Sequence, residues 1–177
     1  TIVTVGRQKL VWGNKRFVSK LVWRQNHRSF DGATIESRIN DQLDFKYTYA
    51  FNVNRAFTDN SPIGNFDANV HLANVNYDVG NIGKLTAYGY WLDMNDAFAV
   101  ALSTRTLGAN FTGSRPLGHG VKLGYTIEAA HQKDQTNNPF EIGVGYFRAE
   151  PSLKAGNFNV RAGYEVLGGN GTRGFQT

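Results

Sequence analysis

The sequence contains no cysteine, one methionine and only four prolines among 177 residues. The lack of cysteine excludes disulfides and thiolate metal sites. The longest purely apolar run, residues 97–102, is far shorter than the roughly 20 residues that a membrane-spanning helix needs, and the mean hydropathy is −0.40. These values do not exclude a β-barrel, because its apolar outer face is formed by every second residue.

Glycine and aromatic residues are plentiful: there are 20 glycines, and aromatics make up 13% of the chain. This composition is typical of long strands joined by tight turns. Apolar and polar residues alternate most clearly in residues 157–167, and residues 43–53 and 121–129 repeat the pattern. Alternation with a period of two predicts strands with one apolar face and one polar face.

Other stretches keep their apolar residues on one face only if the strand slips by one residue. Residues 66–79 need a bulge near Leu72, and residues 140–153 need a slip near Tyr146 and Phe147. In residues 85–94 the alternation does not decide which face is apolar.

Short turns alternate along the chain with longer polar loops, which predicts long antiparallel hairpins. The fold class expected is therefore all-β: an antiparallel, up-and-down transmembrane β-barrel, with short turns at one end and long loops at the other. We expect residues 1–177 to form a single barrel domain that is incomplete at both ends, because neither end reads as a natural terminus. A soluble ligand-binding barrel or sandwich, with its apolar faces inward, is the alternative. Nine strands are predicted, at residues 1–6, 33–39, 42–58, 66–79, 83–94, 98–114, 119–134, 140–154 and 156–168.

The positive charge is concentrated near the start of the chain. Residues 1–40 contain eight lysines and arginines against two carboxylates, whereas the remaining residues carry almost balanced charge. The segment 7–32 lies between two predicted strands and also carries two tryptophans and two phenylalanines. Because aromatic residues favour packing over full exposure, we expect 7–32 to be an extracellular loop that folds into the barrel. A solvated loop that attracts lipopolysaccharide phosphates is the alternative.

A set of short motifs runs through this part of the chain: Gly6-Arg7-Gln8, Trp12-Gly13, Arg16, Trp23 and Arg28-Ser29-Phe30-Asp31. With these motifs the segment resembles the alginate export family of outer-membrane porins. The resemblance also includes residues 85–93 and 163–171, and it extends over almost the whole chain. Three positions depart from the family pattern: Trp12 replaces a tyrosine, and Asn14 and Lys15 replace a more acidic pair.

The resemblance implies a larger, non-enzymatic barrel in the outer membrane of a Gram-negative bacterium. Such a barrel passes an anionic polysaccharide such as alginate, or other anionic solutes, through an arginine-lined constriction. Its expected partners are the lipid bilayer, lipopolysaccharide, the solute and periplasmic export machinery. A general diffusion porin without preference for polysaccharide is the alternative.

Two sets of site residues follow. The constriction is predicted at Arg7, Arg16, Arg24 and Arg28, with Asp31 holding one or more of the arginines in place. The polar strand faces predict a lumen of mixed charge, in which Arg161 and Glu165 form the best candidate pair. The predicted lumen residues are Lys46, Lys122, Glu128, Arg148, Arg161 and Glu165.

Other chemistry finds little support in the sequence. The four histidines lack the spacing of metal ligands, and Asp93, Asn95 and Asp96 read better as a polar loop tip than as a calcium site. No Ser and His pair or phosphate-binding loop is apparent, so no cofactor is expected. The apolar face on most strands argues against nucleic acid as a partner.

Overall fold

The computed structural model describes residues 1–19, 27–55, 57, 61 and 63–176. These residues contain no helix with the length and hydropathy needed to cross a membrane. They form a single antiparallel sheet of ten strands. The strands are β1 (Ile2–Gln8), β2 (Ser29–Arg38), β3 (Leu43–Asn54), β4 (Asn65–Asp78), β5 (Lys84–Met94), β6 (Thr104–Gly118), β7 (Val121–Asp134), β8 (Gly143–Ala155), β9 (Phe158–Arg161) and β10 (Tyr164–Leu167).

Each strand from β1 to β8 pairs with the next strand along the chain, which confirms the predicted up-and-down topology. Both β9 and β10 pair with β8, and one register continues through them. Pro151 lies at the break between them and accepts a hydrogen bond from the Ala162 N–H at 3.1 Å. Because proline has no N–H to donate in the opposite direction, the hydrogen-bond ladder is interrupted there. The strand predicted at 156–168 is therefore two short strands.

The connections differ in length between the two ends of the sheet. At the short-turn end, strands are joined through residues 39–42, 79–83, 119–120 and 156–157. At the long-loop end, they are joined through residues 9–28, 55–64, 95–103 and 135–142. The loop predicted at 7–32 is shorter than expected, since β1 continues to Gln8 and β2 begins at Ser29.

One face of the sheet, called here the inner face, is covered by segment 9–19. Strand β4 shows how the two faces divide. Phe66, Val70 and Leu72 lie buried on the inner face, whereas Val75 and Tyr77 are exposed on the outer face. The pairing of β4 is regular through Leu72, so the bulge predicted there is wrong. The register irregularities lie at Asp31/Gly32, Ala50/Asn52 and Pro116/Gly118 instead.

The same division into an inner and an outer face accounts for the apolar residues of β8 and β5. In β8, Tyr146 is buried on the inner face and Phe147 is exposed on the outer face, and the register is continuous, so the predicted slip is wrong. In β5, Tyr88 and Tyr90 face inward and Leu85 faces outward. These strands carry apolar residues on both faces because segment 9–19 provides an apolar partner for the inner one.

The hydrophobic core lies between segment 9–19 and the inner face. Leu10, Trp12 and Val18 are buried there, and Phe17 contacts Tyr88, with 5.7 Å between ring centroids. The outer face instead presents exposed apolar side chains, as the lipid-facing surface of a membrane barrel does. These include Val3, Val5, Ile35, Phe51, Val75, Leu85, Leu107, Ile127, Phe147, Leu153, Val160 and Val166.

Candidate functional site

Segment 9–19 turns tightly over the inner face. The Trp12 N–H donates to the Val18 carbonyl, and the Lys15 N–H donates to the Trp12 carbonyl, each at 3.1 Å. Gly13 and Lys15 have φ values of 53° and 68°. Glycine adopts such angles without steric cost, which permits the reversal. The turn presents Asn14 and Arg16 to the polar part of the inner face.

Two glutamates on the inner face anchor this segment. Glu128 is buried and accepts hydrogen bonds from the Asn14 side chain at 2.7 Å and from the Tyr88 hydroxyl at 2.9 Å. Glu165 pairs with the Arg16 guanidinium through both carboxylate oxygens. Tyr146 also donates to Glu165, at 2.7 Å. Segment 9–19 is thus attached to the wall by charge-assisted hydrogen bonds as well as by apolar contacts.

A cavity of about 410 Å³ lies between segment 9–19 and the inner face, toward the long-loop end. Its walls are mostly apolar, formed by aliphatic and aromatic side chains, and they also contain two arginines and several neutral polar side chains. A site of this kind can hold an anion by its charge and the rest of a solute by its aromatic surface. Among its lining residues are Arg28, Arg55, Phe30, Phe66, Tyr90 and Gln132.

The two arginines differ in their contacts. Arg55 donates to the Ile63 carbonyl at 3.2 Å and packs on the rings of Phe57 and Phe66. The Nε of Arg28 is buried and has no hydrogen-bond partner among the described residues. Burial, and then the nearby positive charge of Arg55, lower the pKa of Arg28. An unpartnered buried donor is costly, so an acceptor entering the cavity would be stabilised there.

Arg7 and Asp31 lie outside this cavity. They pair across β1 and β2, with the Arg7 Nε 2.7 Å from an Asp31 oxygen. Alternation along β1 places Arg7 on the same face as Val3 and Val5, which is the outer face. Asp31 thus pairs with Arg7, one of the arginines that it was predicted to hold. The pair lies away from Arg16 and Arg28. Arg24 lies outside the described residues.

The remaining predicted lumen residues share the inner face, and most are paired. The Lys46 ammonium lies 2.6 Å from Glu36 and 5.2 Å from the centre of the Trp12 ring. Lys122 is exposed near the short-turn end. Arg148 and Arg161 both pair with Glu150, at 2.8 and 3.3 Å.

The pairing predicted between Arg161 and Glu165 is wrong. The two residues do share a face, but β9 places Arg161 opposite Ser152, within reach of Glu150. Glu165 is instead occupied by Arg16 of the covering segment.

Asn95 and Asp96, at the start of the loop 95–103, make structural hydrogen bonds. Asp96 accepts the Asp67 backbone N–H at 2.9 Å, and the Asn95 side chain donates to the Asp67 carboxylate at 3.1 Å. These contacts secure the start of β4. Within the described part of the chain, no three or more His, Asp or Glu side chains are grouped so as to hold a metal ion.

Several site residues could not be selected from the sequence. Arg55 stood at the end of a predicted strand, and the turn gave no signal that Asn14 reaches Glu128. Gln132 is the exception: it shares the alternation of Glu128 along β7, so strand parity could have found it.

Comparison with known protein families and with curated proteins finds no match. Solved structures do match. The outer membrane protein OpdK from Pseudomonas aeruginosa aligns with a TM-score of 0.75 and 16% identity, over 92% of this chain and 44% of that one. OccK2 (OpdF) from the same organism, in complex with glucuronate, aligns with a TM-score of 0.75 and 15% identity, over 92% and 44%. OccAB1 from Acinetobacter baumannii aligns with a TM-score of 0.71 and 18% identity, over 92% and 42%.

The chain has the fold of an outer-membrane porin barrel. It spans less than half the length of the porin structures it matches. The likeness confirms the predicted all-β barrel architecture and supports a porin barrel over a soluble one. It gives no support to alginate export in particular, and identities this low establish the porin fold alone.

Proposed function

We propose that this chain forms part of the wall and constriction of a channel in the outer membrane of a Gram-negative bacterium, and that the channel passes small anionic solutes. The observation that carries the proposal is Arg28, which lines the lumen cavity and whose buried Nε has no hydrogen-bond partner among the described residues. A carboxylate entering from solvent would supply that acceptor and the opposite charge.

The other lumen cations contribute less to anion attraction. Arg16 is paired with Glu165, Lys46 with Glu36, and Arg148 and Arg161 with Glu150. Because each of these cations lies beside a carboxylate, its field at the centre of the lumen is weakened. Positive potential therefore remains at Arg28, which lines the cavity, while the exposed Lys122 lies near the short-turn end and away from the cavity. A single concentrated site gives selectivity at one constriction.

The size of the cavity favours small solutes. A volume of about 410 Å³ lies in the lower half of the range of roughly 300–1,000 Å³ in which small ligands bind. OccK2 was solved with glucuronate and OpdK with vanillate, and both of these compounds carry a carboxylate. Alginate remains a second candidate because of the sequence resemblance, and it would have to pass as a single extended chain of uronates.

The test is ion selectivity of the full-length protein in a planar lipid bilayer under a potassium chloride gradient. We expect the wild-type channel to prefer chloride over potassium, and we expect glucuronate to block its current. Arg28→Gln should lose both properties, whereas Arg28→Lys should keep the preference for chloride and bind glucuronate less tightly, because lysine cannot pair bidentately. Arg115→Gln, on the outer face, is the control. Unchanged selectivity and block in Arg28→Gln would refute the proposal.

The alternatives predict different currents. If alginate is the solute, uronate oligomers should block at much lower concentrations than glucuronate does. A general diffusion porin should conduct without block by either. A soluble ligand-binding barrel should stay in solution without detergent and form no channels.

A further inference from the structure

A row of five large side chains crosses the outer face near the long-loop end. Cα pairing across β3 to β7 links these residues one to the next. The row continues to Gly143 of β8, which has no side chain, and nothing lies within 4 Å of the place where its Cβ would be. In order, the five residues are Tyr49, His71, Trp91, Arg105 and Lys133.

The row marks a boundary on the outer face. Below it, toward the short-turn end, Leu107 and Ile127 are exposed and apolar on the same strands as the two cations. Above it the chain enters the loops 95–103 and 135–142, of which the second is mostly polar. Tyrosine and tryptophan favour the level at which hydrocarbon meets lipid headgroups. Tyr49 and Trp91 therefore indicate that the neighbouring Arg105 and Lys133 lie at headgroup depth.

The two cations are available for binding. Both side chains are exposed, and within the described part of the chain neither makes an ion pair or a hydrogen bond. Asp134 interacts electrostatically with both, but its Oδ1 already accepts the Ile142 N–H at 3.0 Å. Asp93, two residues beyond Trp91 on β5, pairs with neither.

We propose that Arg105 and Lys133 together bind a phosphate group of lipopolysaccharide in the outer leaflet. Residues opposite each other on adjacent antiparallel strands have Cα atoms about 4.5–5.5 Å apart, so both side chains can reach one phosphate. The long loops of such barrels face the cell exterior, where the adjoining leaflet carries phosphorylated lipid A. The proposal rests on the proposed outer-membrane location, but not on the anion site at Arg28.

The test uses the full-length protein in detergent, titrated with diphosphoryl lipid A, with bound lipid counted by native mass spectrometry. Arg105→Gln/Lys133→Gln should bind about 25-fold less tightly, since each basic residue near an anionic surface contributes roughly fivefold. Lys122→Gln/Lys154→Gln is the charge-matched control. These lysines are also cross-strand partners, but they lie on the inner face near the short-turn end, so their loss should leave affinity unchanged.

Two further measurements separate the possible causes. Arg105→Lys/Lys133→Arg keeps both charges and should bind nearly as wild type does, which a purely structural role would not predict. Equal binding by wild type and the double glutamine variant, or no binding by either, overturns the lipid site. Bilayer conductance of the same samples reports the channel separately. Charge-dependent lipid binding without conductance would support the lipid site and contradict the channel.

Discussion

The Asn14 side chain donates to Glu128 at 2.7 Å, although the two residues are 114 positions apart along the chain. Asn14 belongs to the covering segment 9–19 and Glu128 to strand β7 on the inner face. The same carboxylate accepts the Tyr88 hydroxyl. One buried glutamate thus joins the covering segment to two strands of the wall. Removal of its carboxylate should therefore change the shape of the lumen.

We predict that Glu128→Ala widens the channel. The substitution removes two hydrogen bonds to a charged acceptor, each contributing about 1.5–3 kcal/mol, and leaves Asn14 without this partner. Segment 9–19 should then leave the inner face part of the time. Single-channel recordings should show a larger and noisier conductance.

Glu128→Gln is the matched control because it removes the same charge and keeps an oxygen that can accept a hydrogen bond. Its conductance should stay close to wild type, while any change in ion selectivity should be common to both variants. Equal conductance in Glu128→Ala and wild type would contradict an anchoring role.

The strand pattern of this chain could be predicted because alternation survives wherever one face is apolar. It misled where both faces are apolar: Leu72 and Val75 lie on opposite faces of a regular strand, and the sequence alone suggested a bulge between them. The inner face can be apolar because segment 9–19, which is distant in sequence, packs over it. Pro151 is a second place where the alternation misled. Its missing N–H interrupts the hydrogen-bond ladder between β8 and residues 156–168, where the alternation was clearest.

The site was harder to predict than the fold. Basic residues near the start of the chain drew attention to this segment, and Arg28 lines the cavity between segment 9–19 and the inner face. Arg7 does not, because β1 runs two residues further than predicted and its alternation turns Arg7 outward. Which arginine meets which carboxylate depends on register between strands and on the path of the covering segment, and neither is visible in local sequence.

Ion selectivity should also respond to the pair formed by Arg16 and Glu165. Glu165→Gln removes the carboxylate that balances the Arg16 guanidinium, so the reversal potential should shift toward greater anion preference. Arg16→Gln should shift it in the opposite direction, and the double variant should return close to wild type. Stability should change little because both side chains are partly exposed, 39% for Arg16 and 29% for Glu165. A shift of the same sign in both single variants would contradict this pairing.

The close approach of β2 and β3 should make Gly32 intolerant of any side chain. A Cβ on Gly32 would lie 2.0 Å from the Tyr49 carbonyl oxygen and 2.6 Å from the Ala50 Cα. Because both are backbone atoms at the irregular register of β2, neither can move aside alone. Gly32→Ala should therefore destabilise the protein by about 1–3 kcal/mol, the usual cost of overpacking, measured by urea unfolding in detergent.

Gly143→Ala is the control, since its Cβ meets nothing within 4 Å, and it should be neutral or stabilise by up to about 1 kcal/mol through reduced freedom of the unfolded chain. If both variants unfold at the same urea concentration, the tight packing of these two strands is refuted.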